Sequence, residues 1–106
     1  MILITGASGR IGRAFANFMA KRGEEVRALI RSEYKGTGLS GVEVRVADLL
    51  DKEAVKKACE GVGTVYHLAA LLDYEASQED LRKNNVEATR NLLEECRGKK
   101  FVYLSS

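Results

Sequence analysis

The sequence predicts an α/β fold in which helices cover both faces of a doubly wound parallel sheet. Short apolar runs typical of buried strands alternate with helical patterns along the whole chain. Connections that carry helical patterns are crossovers, and crossovers join parallel strands. Right-handed crossovers with one reversal of direction predict five strands in the order 3-2-1-4-5, within three layers, α/β/α.

The first half of the chain predicts three strands and a helix. ILIT (2–5) has the composition of a buried strand. A helix that ends at Gly23 is predicted next, because apolar residues recur at three- and four-residue steps. These residues are Ile11, Phe15, Phe18 and Met19. EVRALI (about 25–30) and VEVRVA (42–47) predict the second and third strands, which a glycine-bearing loop at 31–41 separates.

A short helix and a fourth strand follow. Asp51 is predicted to cap the helix, which ends at Gly61 or Gly63. TVYHLAA (64–70) predicts the fourth strand. His67, the only histidine, lies in the middle of this strand. A hydrogen-bonded structural role is favoured for it over that of a catalytic base.

The longest helix and a fifth strand complete the predicted sheet. Ser77 and Asp80 have the capping-box spacing and predict a helix that runs through about Cys96. KFVYLS predicts the fifth strand. Asn85 falls on the apolar stripe of the helix. A buried amide without hydrogen-bond partners costs about 1–3 kcal/mol, so the Asn85 side chain should form hydrogen bonds with backbone groups across the sheet. Asn91 is expected to face solvent.

Composition excludes several classes of function. The 106 residues suffice for one domain, and a net charge of +2 with mixed signs predicts no nucleic-acid partner and no membrane partner. No apolar run reaches the roughly 18 residues of a membrane span, and the amino terminus lacks the basic region of a signal peptide, so a cytoplasmic location is expected. Cys59 and Cys96 have neither metal spacing nor a disulfide framework, and no metal site is expected. Both are predicted to be small core residues in a reduced compartment.

The segment TGASGRIG (5–12) has the clearest chemical meaning. It follows a buried strand and enters a helix, and in that context a glycine pattern predicts an anion-binding loop. Gly6 allows a tight turn, Gly9 lets the backbone approach a pyrophosphate, and Gly12 lets the helix pack close to the strand. Free N–H groups and the helix dipole favour the anion. A glycine-rich turn without a ligand is the disfavoured alternative. The residues predicted to bind a cofactor here are Gly6, Ser8, Gly9, Arg10, Ile11 and Gly12.

The pattern T-G-x-x-G-x-x-G resembles the short-chain dehydrogenase/reductase superfamily, and in particular its extended branch, the NAD(P)-dependent epimerase/dehydratase family. Four further segments are similar to this family and occur in its order. They are Asp48-Leu49, HLAA (67–70), NVEATRNLLEEC (85–96), with Ala88 where glycine is usual, and FVYLSS (101–106). The resemblance covers essentially the whole chain and implies a Rossmann-type domain that binds a nicotinamide dinucleotide.

The resemblance also implies roles for individual residues. Asp48 and Leu49 would lie at the adenine ring, although Asp48 could equally be a polar residue that leaves the third strand. The strand-4 segment would lie beneath the nicotinamide-side ribose and supplies Leu68, Ala69 and Ala70. Asn85 joins the predicted cofactor site as a residue that supports the fourth strand, with direct cofactor contact less favoured.

The end of the second strand predicts the choice of cofactor. Ile30 occupies the place where NAD-preferring relatives tend to carry an acid, and Arg31 and Ser32 follow it. A cation and a hydroxyl suit a 2′-phosphate, which a carboxylate would repel. Arg10 could add a second charge. NADP is therefore predicted, with NAD as the second choice; the alternative is that Arg31 is only a solvated loop residue.

The catalytic site implied by the resemblance is incomplete in these residues. The family pairs a serine or threonine with a later Tyr-x-x-x-Lys, and by position Ser106 is the serine. None of the four tyrosines is followed by lysine at the fourth position. We therefore expect residues 1–106 to be a truncated cofactor-binding domain, without the Tyr-x-x-x-Lys helix and the substrate-binding part, and inactive alone.

Two alternatives to an oxidoreductase part stay open. One is a relative without catalytic residues that senses NADPH, and the other is a minimal or engineered half-domain. Because the fifth strand would be an open edge beside an apolar helix face, a homodimer or larger homo-oligomer is also expected.

Overall fold

The structure is a computed structural model of the 106-residue chain. It describes residues 1–7, 9–31, 38–68 and 78–103, with the backbone alone for 78–85.

The described residues form one parallel sheet with helices on both faces. The strands are β1 (Ile2–Thr5), β2 (Val26–Ile30), β3 (Glu43–Val46), β4 (Thr64–His67) and β5 (Lys100–Tyr103). The helices are α1 (Arg10–Lys21), α2 (Lys52–Ala58) and α3 (Gln78–Glu95). All paired strands are parallel, and their order is β3-β2-β1-β4-β5. The predicted fold class and strand order are confirmed.

Several strands are shorter than predicted. β2 begins at Val26 rather than at residue 25, and β3 lacks both end residues of the predicted 42–47 segment. β4 ends at His67, and residues 69 and 70 of its predicted continuation lie outside the described part. β2 is therefore shorter than predicted at its amino end, and β3 is shorter at both ends.

The sheet separates two apolar cores. One core lies between the sheet and the pair α2 and α3, and includes Leu3, Val65 and Leu92. The other lies between the sheet and α1, and includes Ile4 and Ala28. Leu3 and Ile4 are neighbours that point to opposite faces, as the period of two in a strand requires. This alternation explains why the central strands read as continuous apolar runs.

The buried face of α1 differs from the predicted apolar stripe. Phe15 and Met19 pack against the core, as expected, but Ile11 is 77% exposed and Phe18 is also exposed. The fully buried positions of this helix are Gly12 and Ala16. Small residues let the helix axis lie close to the sheet, which turns Ile11 and Phe18 away from it.

The carboxyl end of α1 and both ends of α2 agree with the predicted signals, whereas Ser77, the predicted cap of α3, lies outside the described residues. Gly23 has a φ of +87° directly after the C-cap of α1. The Asp51 side chain caps α2 by accepting hydrogen bonds from the N–H groups of Glu53 and Ala54. After α2 it is Gly61, with a φ of +75°, that adopts the left-handed conformation. Among the described helices, none combines the length and apolar character needed to cross a bilayer.

Candidate functional site

The turn between β1 and α1 lies at the carboxyl edge of the sheet. Gly6 has a φ of +73°, which glycine adopts without steric cost. The N–H of Gly9 donates to the carbonyl of Gly6 at 3.1 Å, which closes the turn. Gly9 is the N-cap of α1, and its carbonyl accepts the first helical hydrogen bond, from the N–H of Arg13, at 2.9 Å.

Two glycines of this turn are constrained in different ways. A Cβ atom on Gly12 would lie 2.1 Å from the Gly6 carbonyl oxygen, so the first turn of α1 packs directly on the backbone of the loop. A Cβ atom on Gly9 would meet only the same oxygen, at 3.5 Å, which is an ordinary contact. The fold therefore requires glycine at position 12, whereas nothing inside the described protein requires it at position 9.

The amino terminus of α1 is suited to an anion. Gly9 has no side chain to cap the helix, and the first turn carries no acidic residue. The free N–H groups and the positive end of the helix dipole therefore face the carboxyl edge of the sheet without local competition from a carboxylate. Arg10 is exposed at this terminus. The residues present fit a pyrophosphate at this position.

Arg31 lies beside this turn. It follows β2 directly, and β2 pairs with β1 in a register that places Leu29 opposite Thr5. Arg31 is exposed, whereas Ile30 before it is buried. The structure thus places Arg31 at the same edge as Gly6, and Ser32 lies outside the described residues.

The Asp48-Leu49 segment forms a turn after β3. The Asp48 carboxylate accepts a hydrogen bond from the N–H of Leu50 at 2.9 Å, so its side chain supports the turn. Leu49 packs against the core on the side of α2 and α3. Its carbonyl accepts a hydrogen bond from the Asn91 amide at 2.8 Å. Asn91 thereby fixes the backbone of this segment.

The expectation that Asn91 faces solvent is wrong. Asn91 is 5% exposed and lies between the buried residues Ala88 and Leu92 on the inner face of α3. The polar partner that makes its burial tolerable is the Leu49 carbonyl, which is 42 positions away in the chain. The buried amide that the structure describes in this helix is therefore Asn91, and the Asn85 side chain lies outside the description.

His67 is part of a buried chain of hydrogen bonds. Its Nδ1 atom lies 2.6 Å from the Thr5 hydroxyl oxygen, and its Nε2 atom lies 3.1 Å from the Thr89 hydroxyl oxygen. Burial lowers the pKa of His67 to about 4, so the ring is neutral near pH 7. A neutral ring with both nitrogens engaged links β1, β4 and α3, which confirms the structural role predicted for it.

The remaining predicted site residues divide into two groups. Leu68 is half-buried, donates its N–H to the Thr5 carbonyl at 3.3 Å, and packs on the core that faces α1. Those outside the described residues are Ser8, Ser32, Ala69, Ala70 and Ser106.

Sequence reasoning missed three polar residues that support the site. Thr5 and Thr89 hold His67, and Asn91 holds the turn after β3. The signal for Asn91 was its place beside Leu92, three residues after Ala88, at the spacing of one helix face. The two threonines carried no comparable signal, because threonine is common on the exposed surfaces of helices and strands.

Comparison with known proteins agrees with this geometry. Residues 2–106 match the sequence profile of the NAD dependent epimerase/dehydratase family. The chain is 38% identical over 98 residues to sterol demethylase protein B of Methylococcus capsulatus, covering 90% of this chain and 30% of that protein. It is 34% identical over 108 residues to 2-alkyl-3-oxoalkanoate reductase of Stenotrophomonas maltophilia, covering 99% of this chain and 33% of that protein.

Solved structures share the same fold. A short-chain dehydrogenase/reductase superfamily protein from Agrobacterium tumefaciens, crystallised with bound NAD, superposes with a TM-score of 0.84 at 36% identity. The match covers all of this chain and 32% of that chain, so this chain spans about a third of the length of its relatives. Since the family profile extends over residues 2–106, the chain belongs to the NAD dependent epimerase/dehydratase family.

Proposed function

We propose that this chain is the NADP(H)-binding part of an epimerase, dehydratase or reductase type of oxidoreductase. The observation that carries the proposal is the uncapped, glycine-lined start of α1 at the carboxyl edge of the sheet, with Arg31 at the end of the neighbouring strand. Ligands of open parallel sheets bind at this edge, where the strand order reverses.

Each part of the site has a proposed task. The backbone N–H groups that follow Gly9 hold the pyrophosphate, and the absence of a side chain there leaves room for it. Arg31, with Arg10 beside the loop, supplies positive charge for the 2′-phosphate. The turn at Asp48 and Leu49, which Asn91 holds in place, borders the adenine. Leu68, with Ala69 and Ala70, borders the nicotinamide-side ribose, and Asn85 supports this segment.

Catalysis requires groups in addition to the residues that bind the dinucleotide. The nicotinamide supplies hydride transfer when it is bound. Ser106 is the residue proposed to position the reacting oxygen. Proton transfer also needs an acid/base group, and the Tyr-x-x-x-Lys pattern that supplies it in the family does not occur in the 106 residues. We therefore expect the purified chain to bind the dinucleotide without consuming NADPH in the presence of ketones or sugar nucleotides.

A fluorescence titration with NADPH and with NADH tests the cofactor assignment. NADPH should bind more tightly, because Arg31 offers a charge-assisted contact to the 2′-phosphate that NADH lacks. Such a contact is worth about 1.5–3 kcal/mol, so Arg31→Ala should narrow the preference by roughly tenfold or more. Arg22→Ala, at the opposite end of α1, is the matched control and should change neither affinity.

Two outcomes would contradict this proposal. Equal affinities of the unmutated chain for both cofactors would reject the NADP assignment while leaving dinucleotide binding intact. Loss of affinity for NADPH and NADH alike in Arg31→Ala would show that the arginine acts on a group common to both cofactors.

A further inference from the structure

The two cysteines contact each other at the side of the sheet opposite the cofactor edge. The sulfur atoms of Cys59 and Cys96 lie 3.1 Å apart, and the two residues are 2% and 4% exposed. Both are free thiols. Cys59 is the C-cap of α2, and Cys96 directly follows α3, so the contact joins the carboxyl ends of two helices. Burial of both residues is as predicted, but their contact was not.

The backbone around Cys59 is held in place by two cations. The Arg27 guanidinium donates from Nη1 to the carbonyls of Ala58, at 2.7 Å, and Glu60, at 2.8 Å. The Lys99 ammonium donates to the carbonyl of Cys59 itself. Three consecutive carbonyls at the end of α2 are thus bound to side chains from β2 and from the connection between α3 and β5. The thiol of Cys59 is therefore presented to Cys96 in a defined position.

The surroundings make the two thiols unequal. The hydrogen bond from Cys96 lowers the pKa of the Cys59 thiol against the opposing effect of burial, and the positive charge of Lys99 lowers the pKa of both thiols. The same contact, together with burial, raises the pKa of Cys96. Cys59 is therefore the thiol that ionises first, with Cys96 as the donor that stabilises its thiolate.

We propose that Cys59 and Cys96 are an intramolecular dithiol–disulfide site that a small hydroperoxide oxidises. The Cys59 thiolate attacks the peroxide oxygen, takes up one oxygen as a sulfenic acid, and releases water when the leaving hydroxide is protonated. The Cys96 sulfur then attacks the Cys59 sulfur, forms the S–S bond and expels a second water. Two thiols and one hydrogen peroxide thus give one disulfide and two waters. A small oxidant is required because both thiols are almost completely buried.

The place of the site in the fold predicts what oxidation does. Cys59 and Cys96 precede β4 and β5, so they lie at the amino end of the strands, away from Gly9 and Arg31. A disulfide here closes a loop between residues 37 positions apart and links α2 to α3. Such a crosslink restricts the unfolded chain. Oxidation should therefore stabilise the fold without changing the affinity for dinucleotide.

Intact mass and thermal unfolding of the native protein after hydrogen peroxide treatment test the proposal. The mass should fall by about 2 Da and the monomer should carry no added oxygen. The midpoint of thermal unfolding should rise by roughly 10 °C and return to its starting value after reduction with dithiothreitol. Cys59→Ala and Cys96→Ala are the controls and should show neither change. In Cys96→Ala, a sulfenic-acid trap should label Cys59, whereas Cys96 in Cys59→Ala should stay largely unlabelled.

Three results would overturn the proposal. One is a disulfide that forms only in denaturant, since the native contact would then have no part in the reaction. Another is oxidation of the native protein to sulfinic acid or to crosslinked dimers in place of the intramolecular bond. The third is an oxidised monomer whose unfolding midpoint equals that of the reduced protein, because the bond would then leave the fold unaffected.

Discussion

At the scale of single residues, the glycine turn separates a requirement of the fold from a requirement of the ligand. Gly12 has no space for a Cβ atom, because the Gly6 carbonyl oxygen would lie 2.1 Å from it. Gly9 has extended backbone angles, with φ −77° and ψ 165°, that any residue adopts, and its one near neighbour is at contact distance. The pattern of three glycines therefore combines packing at position 12 with access for a ligand at position 9.

A substitution at Gly12 should affect mainly the stability of the fold, whereas a substitution at Gly9 should affect mainly dinucleotide binding. Gly12→Ala should lower the free energy of unfolding by about 1–3 kcal/mol, because helix and loop must move apart. Gly9→Val should leave stability nearly unchanged and abolish dinucleotide binding, since its side chain would occupy the pyrophosphate position. Urea unfolding and the NADPH titration measure the two effects. A Gly9→Val protein that binds as well as the unmutated chain would place the cofactor elsewhere.

His67 gives the fold a specific pH dependence. Its pKa is lowered to about 4 in the folded chain by burial, against an ordinary value of 6.5 in the unfolded chain. Between these values the unfolded chain binds more protons, so stability is complete above about pH 6.5 and is lost as pH falls towards 4. The loss between pH 7 and pH 5 should be about 2 kcal/mol.

Unfolding of the unmutated chain and of His67→Gln at several pH values measures this effect. His67 is the only histidine, so the variant should show almost no change between pH 7 and pH 5. The lowered pKa of Glu43, caused by hydrogen bonds from Arg27 and Arg45, acts only below its ordinary value of 4.5. An unmutated chain whose stability is flat from pH 7 to pH 5 would mean that folding does not lower the pKa of His67.

At the scale of elements, buried polar side chains connect helices to the sheet at both ends of the strands. Arg27 extends from β2 to the end of α2 and also pairs with Glu43 on β3 at 3.1 Å. Asn91 connects α3 to the turn after β3, close to the proposed adenine site. Because a buried donor without an acceptor is costly, each of these bonds fixes the position of one helix relative to the strands.

Removing Arg27 should loosen α2. Arg27→Met keeps the length and apolar stem of the side chain but leaves the carbonyls of Ala58 and Glu60 without their donor. We expect stability to fall by about 2–3 kcal/mol, measured by urea unfolding. Arg45→Met is the matched control, because exposed Arg45 pairs with the same Glu43 at 3.0 Å, and its loss should cost less than about 1 kcal/mol. Equal losses in the two variants would show that the bonds to α2 contribute nothing.

At the scale of the whole molecule, the described sheet has two edges, one at β3 and one at β5. The β3 edge alternates the charged residues Glu43 and Arg45 with the exposed valines Val44 and Val46. Beside β5, an open depression of about 400 Å³ is lined by Val86, Thr89, Arg90, Leu93 and Tyr103. Val86, Leu93 and Tyr103 among them are apolar or aromatic, and each is about half exposed. We propose that this surface joins two or more copies of the chain, since surfaces of this kind favour association.

Sedimentation at micromolar concentrations tests the association. We expect a dimer or larger assembly, which Leu93→Glu should weaken at least tenfold by placing a charge in the apolar surface. Phe18→Glu changes an equally exposed apolar residue on α1 and should leave the assembly unchanged. An unmutated chain that sediments as a monomer of 11.7 kDa at all concentrations would reject the proposal.

The sequence by itself determined the features that depend on short segments. The alternation of strands and helices, the caps at Asp51 and Gly23, and the glycine turn all follow from periodicity and local backbone chemistry within a few residues. The strand order follows from that alternation, because crossovers between parallel strands are right-handed. Family membership follows from the same kind of signal, because the matching motifs are short and keep their order along the chain. The predicted lengths of the strands were less accurate, because a strand ends where its backbone stops pairing with the neighbouring strand, and that point is not visible in the composition of the segment.

Tertiary structure alone decided which distant polar and sulfur groups meet. The bonds between Thr5 and His67, between Asn91 and Leu49, and between Cys59 and Cys96 join residues 62, 42 and 37 positions apart. These bonds form only if α3 has one particular rotation about its axis and α2 lies at one particular distance from the sheet. The spacing of apolar residues predicts the buried face of a helix only approximately, so it does not determine either quantity. Asn91 was therefore expected in solvent, although Leu92, its direct neighbour in the chain, is fully buried. The physical reason is that burial of a polar side chain depends on a partner, and that partner lies on another element.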